Sequence, residues 1–340
     1  MSHHRLSRRL LVALLLVFGT STAAMGQITK SIREAVDAKP DRPLIDAFIA
    51  NEIKGLSSED PKLQKGARDS LAQEANAPNV SASFLDEYAD SLNAAVLPLA
   101  KADVHVRLCA AVCVARVAAK AGNNRLSGAA LMFIKDKNAA VALWGLKAAK
   151  YILPTMILGL QNPAPMGQAV MEAAKEHATG AVVEEAYNTL LLQPDTNSLR
   201  TFQPPVLKPY VAIPIAFFDY RVKLYEDLVP PQPMADTLAC KFLVNSNVWQ
   251  ALTGPQQRQT LQLMLDLVKN ASKQNATAAM PELIDVIRQT GGAFEVAAGP
   301  LKCDPLKKAG HSLSSVNNDI SSTDLDSKID DVDKAIQTLP

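Results

Sequence analysis

The chain is expected to fold as an all-α protein, an α-solenoid of antiparallel helix pairs continued by a Pro-rich connection and a C-terminal helical extension. Three observations predict this. Val106 to Val114 can be laid on Val141 to Ala149 with the order of large and small apolar positions kept, at a shift of 35 residues; a period in that range is what stacked helix pairs produce. Within each copy, apolar residues four apart flank a small central residue, which puts them on one helix face and lets a neighbouring helix approach closely. Aromatics make up only 5% of the 340 residues, and no stretch alternates apolar and polar residues between paired turn signals. Close-packed aliphatic helices are therefore favoured over a β-sandwich.

The elements follow in chain order. Residues 1–26 carry Arg5, Arg8 and Arg9, an unbroken apolar run from Leu10 to Phe18, a break at Gly19 to Thr22, and small residues at Ala24-Met25-Gly26. This is the pattern of a signal peptide cleaved near Gly26, so the chain is expected to be exported, to the periplasm or outside the cell. The apolar run is far shorter than the roughly 20 residues that cross a bilayer as a helix, so no stable membrane anchor is expected after cleavage. Ser7-Arg8-Arg9-Leu10-Leu11 also resembles a twin-arginine export signal, and both export routes stay open. Without the leader the chain holds 32 basic and 34 acidic residues. It lacks the basic excess or stripe of a nucleic-acid binder.

Residues 27–54 read as an N-terminal helical cap, with a turn at Lys39-Pro40-Asp41-Arg42-Pro43 followed by the apolar stripe Leu44, Ile45, Phe48 and Ile49. Residues 55–193 hold the repeats. Leu63, Ala67 and Leu71 form one further copy and Val182, Ala186 and Leu190 another, at shifts of 43 and 41 from their neighbours. Gly122-Asn123-Asn124 and Asp136-Lys137-Asn138 are turn punctuation between helices expected over 104–121, 125–134 and 139–153. Asp103-Val104-His105-Val106-Arg107, followed by Ala110-Ala111, resembles the HEAT-like (armadillo-type) helical repeat family, whose second helix opens with an Asp-containing turn, Val-Arg and paired alanines. Ala142 and Gly145-Leu146 depart from that pattern in the next copy. The resemblance spans residues 55–193 and implies an α-solenoid that binds other macromolecules.

Residues 194–235 carry eight of the 21 prolines. That density argues against uninterrupted helix. The segment reads as a connection whose aromatics, Phe202, Tyr210, Phe217, Phe218 and Tyr220, are candidates for binding a partner, since interface centres favour such side chains; the other reading packs them against the solenoid. Residues 236–300 return to helical pairs, with Leu261, Met264, Leu265 and Val268 on one face, Leu283, Ile284 and Ile287 on the next, and Gly291-Gly292 as a helix stop. In 301–340, the Ser- and Asn-rich stretch 310–319 reads as a flexible tether. Ile320, Leu325, Ile329, Val332, Ile336 and Leu339 then form one amphipathic stripe. It is expected to dock on the last repeat, pair with a second copy, or fold on a partner.

The chemical inventory is thin. Cys109 and Cys113 stand four apart on one expected helix, where Cβ atoms lie about 5–6 Å apart against the roughly 3.8 Å of a disulfide, so both read as small buried residues. Cys240 and Cys303 remain a candidate disulfide. His105, His177 and His311 show no metal-ligand spacing, and Glu172, Glu176, Glu184 and Glu185 read as a solvated helix face. No nucleophile elbow, phosphate loop or dinucleotide fingerprint occurs, so no catalytic residue, cofactor or metal is expected. The expectation is an exported, non-enzymatic interaction scaffold with a protein partner. The alternative is an exported enzyme or ligand-binding protein that uses the groove of the helical array.

Overall fold

The computed structural model describes residues 27–192, 198–278 and 280–339. The expected signal peptide, residues 1–26, lies outside them. Among the described residues there are helices and no strand. The chain divides into two compact units, the first ending at Ala121 and the second beginning at Gly122.

The first unit contains α1 (Lys30–Arg33), α2 (Arg42–Leu56), α3 (Pro61–Asn76), α4 (Ala82–Val96) and α5 (Val104–Ala121). Two of these starts are set by side chains that accept otherwise unpaired backbone N–H groups. Asp60 accepts from Lys62 N at 2.8 Å ahead of α3, and Ser81 from Phe84 N at 3.0 Å ahead of α4. Helix α2 packs on α3 and α4, and α5 packs on α3 and α4. The core takes Ile45, Phe48 and Ile49 from α2, Ala67 and Leu71 from α3, Tyr88 from α4, and Ala110 and Val114 from α5. Leu63, expected on the buried stripe of its repeat, is instead 57% exposed. It sits in the first turn of α3, ahead of the span that packs.

The second unit contains α6 (Ser127–Ile134), α7 (Ala139–Leu158), α8 (Ala164–His177), α9 (Gly180–Leu190), α10 (Pro204–Leu207), α11 (Ala212–Leu224), α12 (Pro233–Leu243), α13 (Ser246–Ala251), α14 (Gly254–Ala278), α15 (Pro281–Leu301), α16 (Asp304–Ser314) and α17 (Ser322–Gln337). Contacts run in two series. One goes from α6 to α8, α11, α14 and α17; the other goes from α7 to α9, α12, α15 and α16. Rungs join the series at α6 with α7, α8 with α9, α11 with α12, α14 with α15, and α16 with α17. Helix α7 is long and apolar enough to cross a membrane by length and composition, but Val141, Leu146, Ala149, Ile152 and Leu153 are fully buried inside the protein. Such a helix is also what a protein core needs.

Small residues set the helix spacing. A Cβ on Gly145 of α7 would lie 2.5 Å from Ile134 N in α6, and one on Gly167 of α8 would lie 2.9 Å from Ile213 Cδ1. Gly291 and Gly310 face each other: a Cβ on the first would meet Ser314 N at 2.5 Å, and one on the second Glu295 N at 2.7 Å. This corrects two expectations. Gly291-Gly292 does not stop a helix but lies inside α15, because the missing side chain is what admits α16. The expected tether 310–319 begins inside α16, where Leu306, Ala309, Gly310 and Leu313 are buried.

The described part of the Pro-rich segment, residues 198–235, holds helices where a connection was expected. Its prolines fall where helices tolerate them: Pro204 and Pro205 open α10, Pro214 lies in the first turn of α11, and Pro233 opens α12. At those positions the absent N–H has no intrahelical acceptor to lose. The amphipathic tail is α17, docked on α14 and α16 through Leu325, Ile329, Val332 and Ala335. Lys269 of α14 pairs with Asp333 of α17 at 2.5 Å.

Among polar ties of several separations, a group between helices spans 41 to 49 residues. In the first unit they join Arg33 to Glu74 (41 residues apart, 2.7 Å), Arg42 to Glu87 (45, 2.6 Å), Ser91 to Asp46 (45, 2.5 Å) and Arg116 to Asp69 (47, 3.2 Å). In the second they join His177 to Asp136 O (41, 3.0 Å), Thr189 to Leu146 O (43, 3.2 Å), Gln274 to Tyr225 O (49, 2.9 Å), and Lys241 to Gln289 (48, 2.7 Å).

Candidate functional site

The aromatic residues that were candidates for binding a partner are for the most part in the core, as the other reading had it. Phe202, Tyr210, Phe217 and Phe218 are each at most 1% exposed. Tyr210 donates to Leu190 O at 2.6 Å, and Phe217 lies 4.8 Å from Tyr187, ring centre to ring centre. Burying these rings is what holds α10 and α11 against α7, α8 and α9, so they are not available as a surface. Tyr220 is half-buried, with Lys175 Nζ 4.7 Å from its ring centre. The expected bridge between Cys240 and Cys303 is not formed, since both are free thiols. Cys240 is buried on α12 with its Sγ 3.9 Å from Thr290 Oγ1, while Cys303 immediately precedes α16 and makes no side-chain cap. Burial pushes the Cys240 thiol up to about 12. Cys113, also buried, is raised for the same reason first, with Cys109 adding to it.

What the proline-rich region builds around these rings is a buried charge cluster that sequence reasoning missed. Asp236 of α12 is fully buried and Arg221 of α11 is 2% exposed. Asp236 Oδ1 accepts from Arg221 Nε at 2.9 Å and from the Tyr187 hydroxyl of α9; Oδ2 accepts from Arg221 Nη2 at 2.9 Å and from the Tyr225 hydroxyl at 2.8 Å. Arg221 Nη2 also donates to Pro231 O at 2.8 Å. Burial pulls the guanidinium's pKa down, but the hydrogen bonds and charge of Asp236 outweigh it and leave it above its ordinary value. Burial, then the Asp236 charge, raises the hydroxyls of Tyr187 and Tyr225.

This bidentate pair, with both carboxylate oxygens doubly occupied, leaves no lone pair open to a substrate. The cluster ties α9, α11 and α12 together and is built for structure. The sequence signal for it was faint: one arginine and one aspartate in two helices that each carry other charges on their exposed sides.

Functional surface must therefore lie outside the core. Helix α7 shows a half-exposed stripe of Trp144, Lys147 and Tyr151, one face at spacings of three and four, with Lys147 Nζ 4.4 Å from the Trp144 ring centre. Two surface depressions accompany it. One, of about 360 Å³, is lined by Lys135 and by Asn162, Gln168 and Glu172 around the start of α8. Gln168 is held to Glu172 at 3.0 Å and Asn162 caps Ala164 N at 3.0 Å, which leaves little free polar capacity there. The other, of about 530 Å³, lies between α14 and α17. No group of three or more His, Cys, Asp or Glu side chains is placed to hold a metal among the described residues. No family model, curated protein or solved structure matches the chain.

Proposed function

We propose that the chain is an exported, non-enzymatic protein-interaction scaffold built from HEAT-like helix pairs. The observation that carries this reading is the coincidence of two periods. Copies in the sequence recur at shifts of 35, 41 and 43 residues, and polar ties between helices recur at separations of 41 to 49 residues within both units. This coincidence supports a supersecondary motif repeated within each unit, the construction that offers successive similar faces to a macromolecule. The face we assign to the partner is the α7 stripe, since half-exposed Trp and Tyr beside a cation supply contact area at little cost in side-chain entropy. Export rests on the leader-like residues 1–26.

A tagged chain recovered from a cell-envelope extract is expected to bring down one protein in stoichiometric amount. Trp144→Ala with Tyr151→Ala is expected to lose that protein while the unfolding temperature stays within a few degrees. Capture unaffected by the double substitution would remove the stripe. No partner together with turnover of a small molecule by the pure chain would remove the scaffold reading. A reporter fused after residue 26 that stays in the cytoplasm would remove export.

A further inference from the structure

The groove between α14 and α17 is lined mostly by charged and hydroxyl side chains, with Ala276 and Ile329 as its apolar part. Its α14 wall is Lys269, Ser272, Lys273 and Ala276, one helix face at spacings of three and four; its α17 wall is Ser322, Asp326, Ile329 and Asp330, again one face. Lys269 is taken up by its ion pair with Asp333. The remaining charges are uncommitted: the side chains of Lys273, Asp326 and Asp330 make no hydrogen bond or ion pair among the described residues. Asp326 and Asp330 stand four apart on α17, where like charges repel unless a cation comes between them. Ser272 is 8% exposed and its hydroxyl has no protein partner, though it lines the groove. That hydroxyl opens onto the groove rather than into the core, so it is free to donate to a ligand atom there. Ser322 is the first residue of α17, the end of a helix that favours an anion.

We propose that this groove binds a small zwitterion of the amino-acid and short-peptide class. Its ammonium group lies against Asp326 and Asp330, and its carboxylate is held by Lys273, with Ser272 donating a hydrogen bond. Ile329 and Ala276 supply the apolar floor for a small side chain. The volume of about 530 Å³ falls within the size of ligand sites and admits a dipeptide. A purely anionic ligand would leave the two aspartates unpaired and facing it, and a purely cationic one would face Lys273. The site stands on its own groups and is independent of the scaffold reading.

The test is a titration of the full purified chain, followed by amide chemical shifts, with alanyl-alanine, its C-terminal amide and its N-acetyl form. Saturable shifts at Ser272, Lys273, Ser322 and Asp330 are expected with alanyl-alanine. The two derivatives, each lacking one charge, are expected to bind at least about ten-fold more weakly. Lys273→Met should weaken the dipeptide but not its amide, and Asp330→Asn the dipeptide but not its N-acetyl form. Both positions are solvent-exposed, so an unchanged unfolding temperature verifies that the fold is intact. No saturable shift at these amides, equal binding of all three compounds, or binding indifferent to both substitutions would overturn the proposal.

Discussion

Removing the Asp236 carboxylate tests most severely how the second unit is held together. Asp236→Ala deletes both acceptor oxygens from a fully buried site, leaving Arg221 with Pro231 O as its remaining partner and the Tyr187 hydroxyl without one. Breaking a buried ion pair from one side costs about 3–5 kcal/mol, because the surviving charge stays desolvated. Orphaning a tyrosine hydroxyl adds about 1–3 kcal/mol where the group cannot reach water. Tyr225 partly escapes, since its hydroxyl retains Pro233 O at 3.4 Å. The expected loss is then at least about 4 kcal/mol, a large share of the roughly 5–15 kcal/mol that holds a domain together. For a unit of this size that corresponds to a fall in unfolding temperature of about 8–16 °C.

Urea unfolding followed by circular dichroism reads the loss directly, and the pairing is separated from packing by Arg221→Met with Asp236→Leu. That double substitution removes both charges and should recover most of the stability, short of what the tyrosine hydroxyls lose. A loss below about 1 kcal/mol for Asp236→Ala would mean that water reaches the carboxylate, and the packing of α9, α11 and α12 around it would be wrong.

Four further outcomes follow. Gly145→Val should destabilise by at least about 1–3 kcal/mol through overpacking at the α6–α7 crossing, measured by thermal unfolding, whereas Gly66→Ala, where a Cβ meets nothing within 4 Å, should not destabilise. Trp144→Ala should fall short of the about 3–5 kcal/mol of a buried tryptophan, since the ring is half-exposed, and a loss in that range would place it in the core. Cys240 should resist iodoacetamide at pH 8 in the native chain and react on unfolding, because burial holds its thiol at about 12; rapid native labelling would contradict its burial. Glu52 has a raised pKa, mainly through burial, with the Glu74 charge adding to it against hydrogen bonds from Asn51 and Ser70. The folded state therefore binds its proton more tightly than the unfolded state, so its contribution is full below the unfolded value and is lost as pH rises through the folded one. Glu52→Gln should accordingly be more stable than the parent at pH 7 and lose that advantage below about pH 4, as followed by urea unfolding across the range.

The helices that could be read from the chain are those whose close contacts use one repeated device. Ala67, Ala110, Gly145 and Ala186 are small residues between apolar neighbours on α3, α5, α7 and α9, and all four are buried. Beyond α9 the same job passes to other chemistry. Gly291 and Gly310 let α15 and α16 touch backbone to backbone, yet a glycine pair in isolation reads as a stop. The Arg221–Asp236 pair joins α11 to α12, and no periodicity announces a charge that will be buried. Pro204, Pro205, Pro214 and Pro233 looked like helix breakers because their number was visible and their position in the first turn was not. For four of the five aromatics the structure takes the packing reading of the two left open, a choice the sequence could not make, since a ring that anchors a core and one that anchors an interface have the same composition. The α14–α17 groove was hidden because its walls lie 46 or more residues apart, with neither wall forming a motif of its own.

Long-range nuclear Overhauser contacts between methyl and amide protons test the repeat construction most directly. Contacts are expected within each unit between the segments around Arg33 and Glu74, Asp46 and Ser91, Leu146 and Thr189, and Lys241 and Gln289, at separations of 41, 45, 43 and 48 residues. Contacts confined to sequence-adjacent helices, or scattered without a recurring separation, would contradict it.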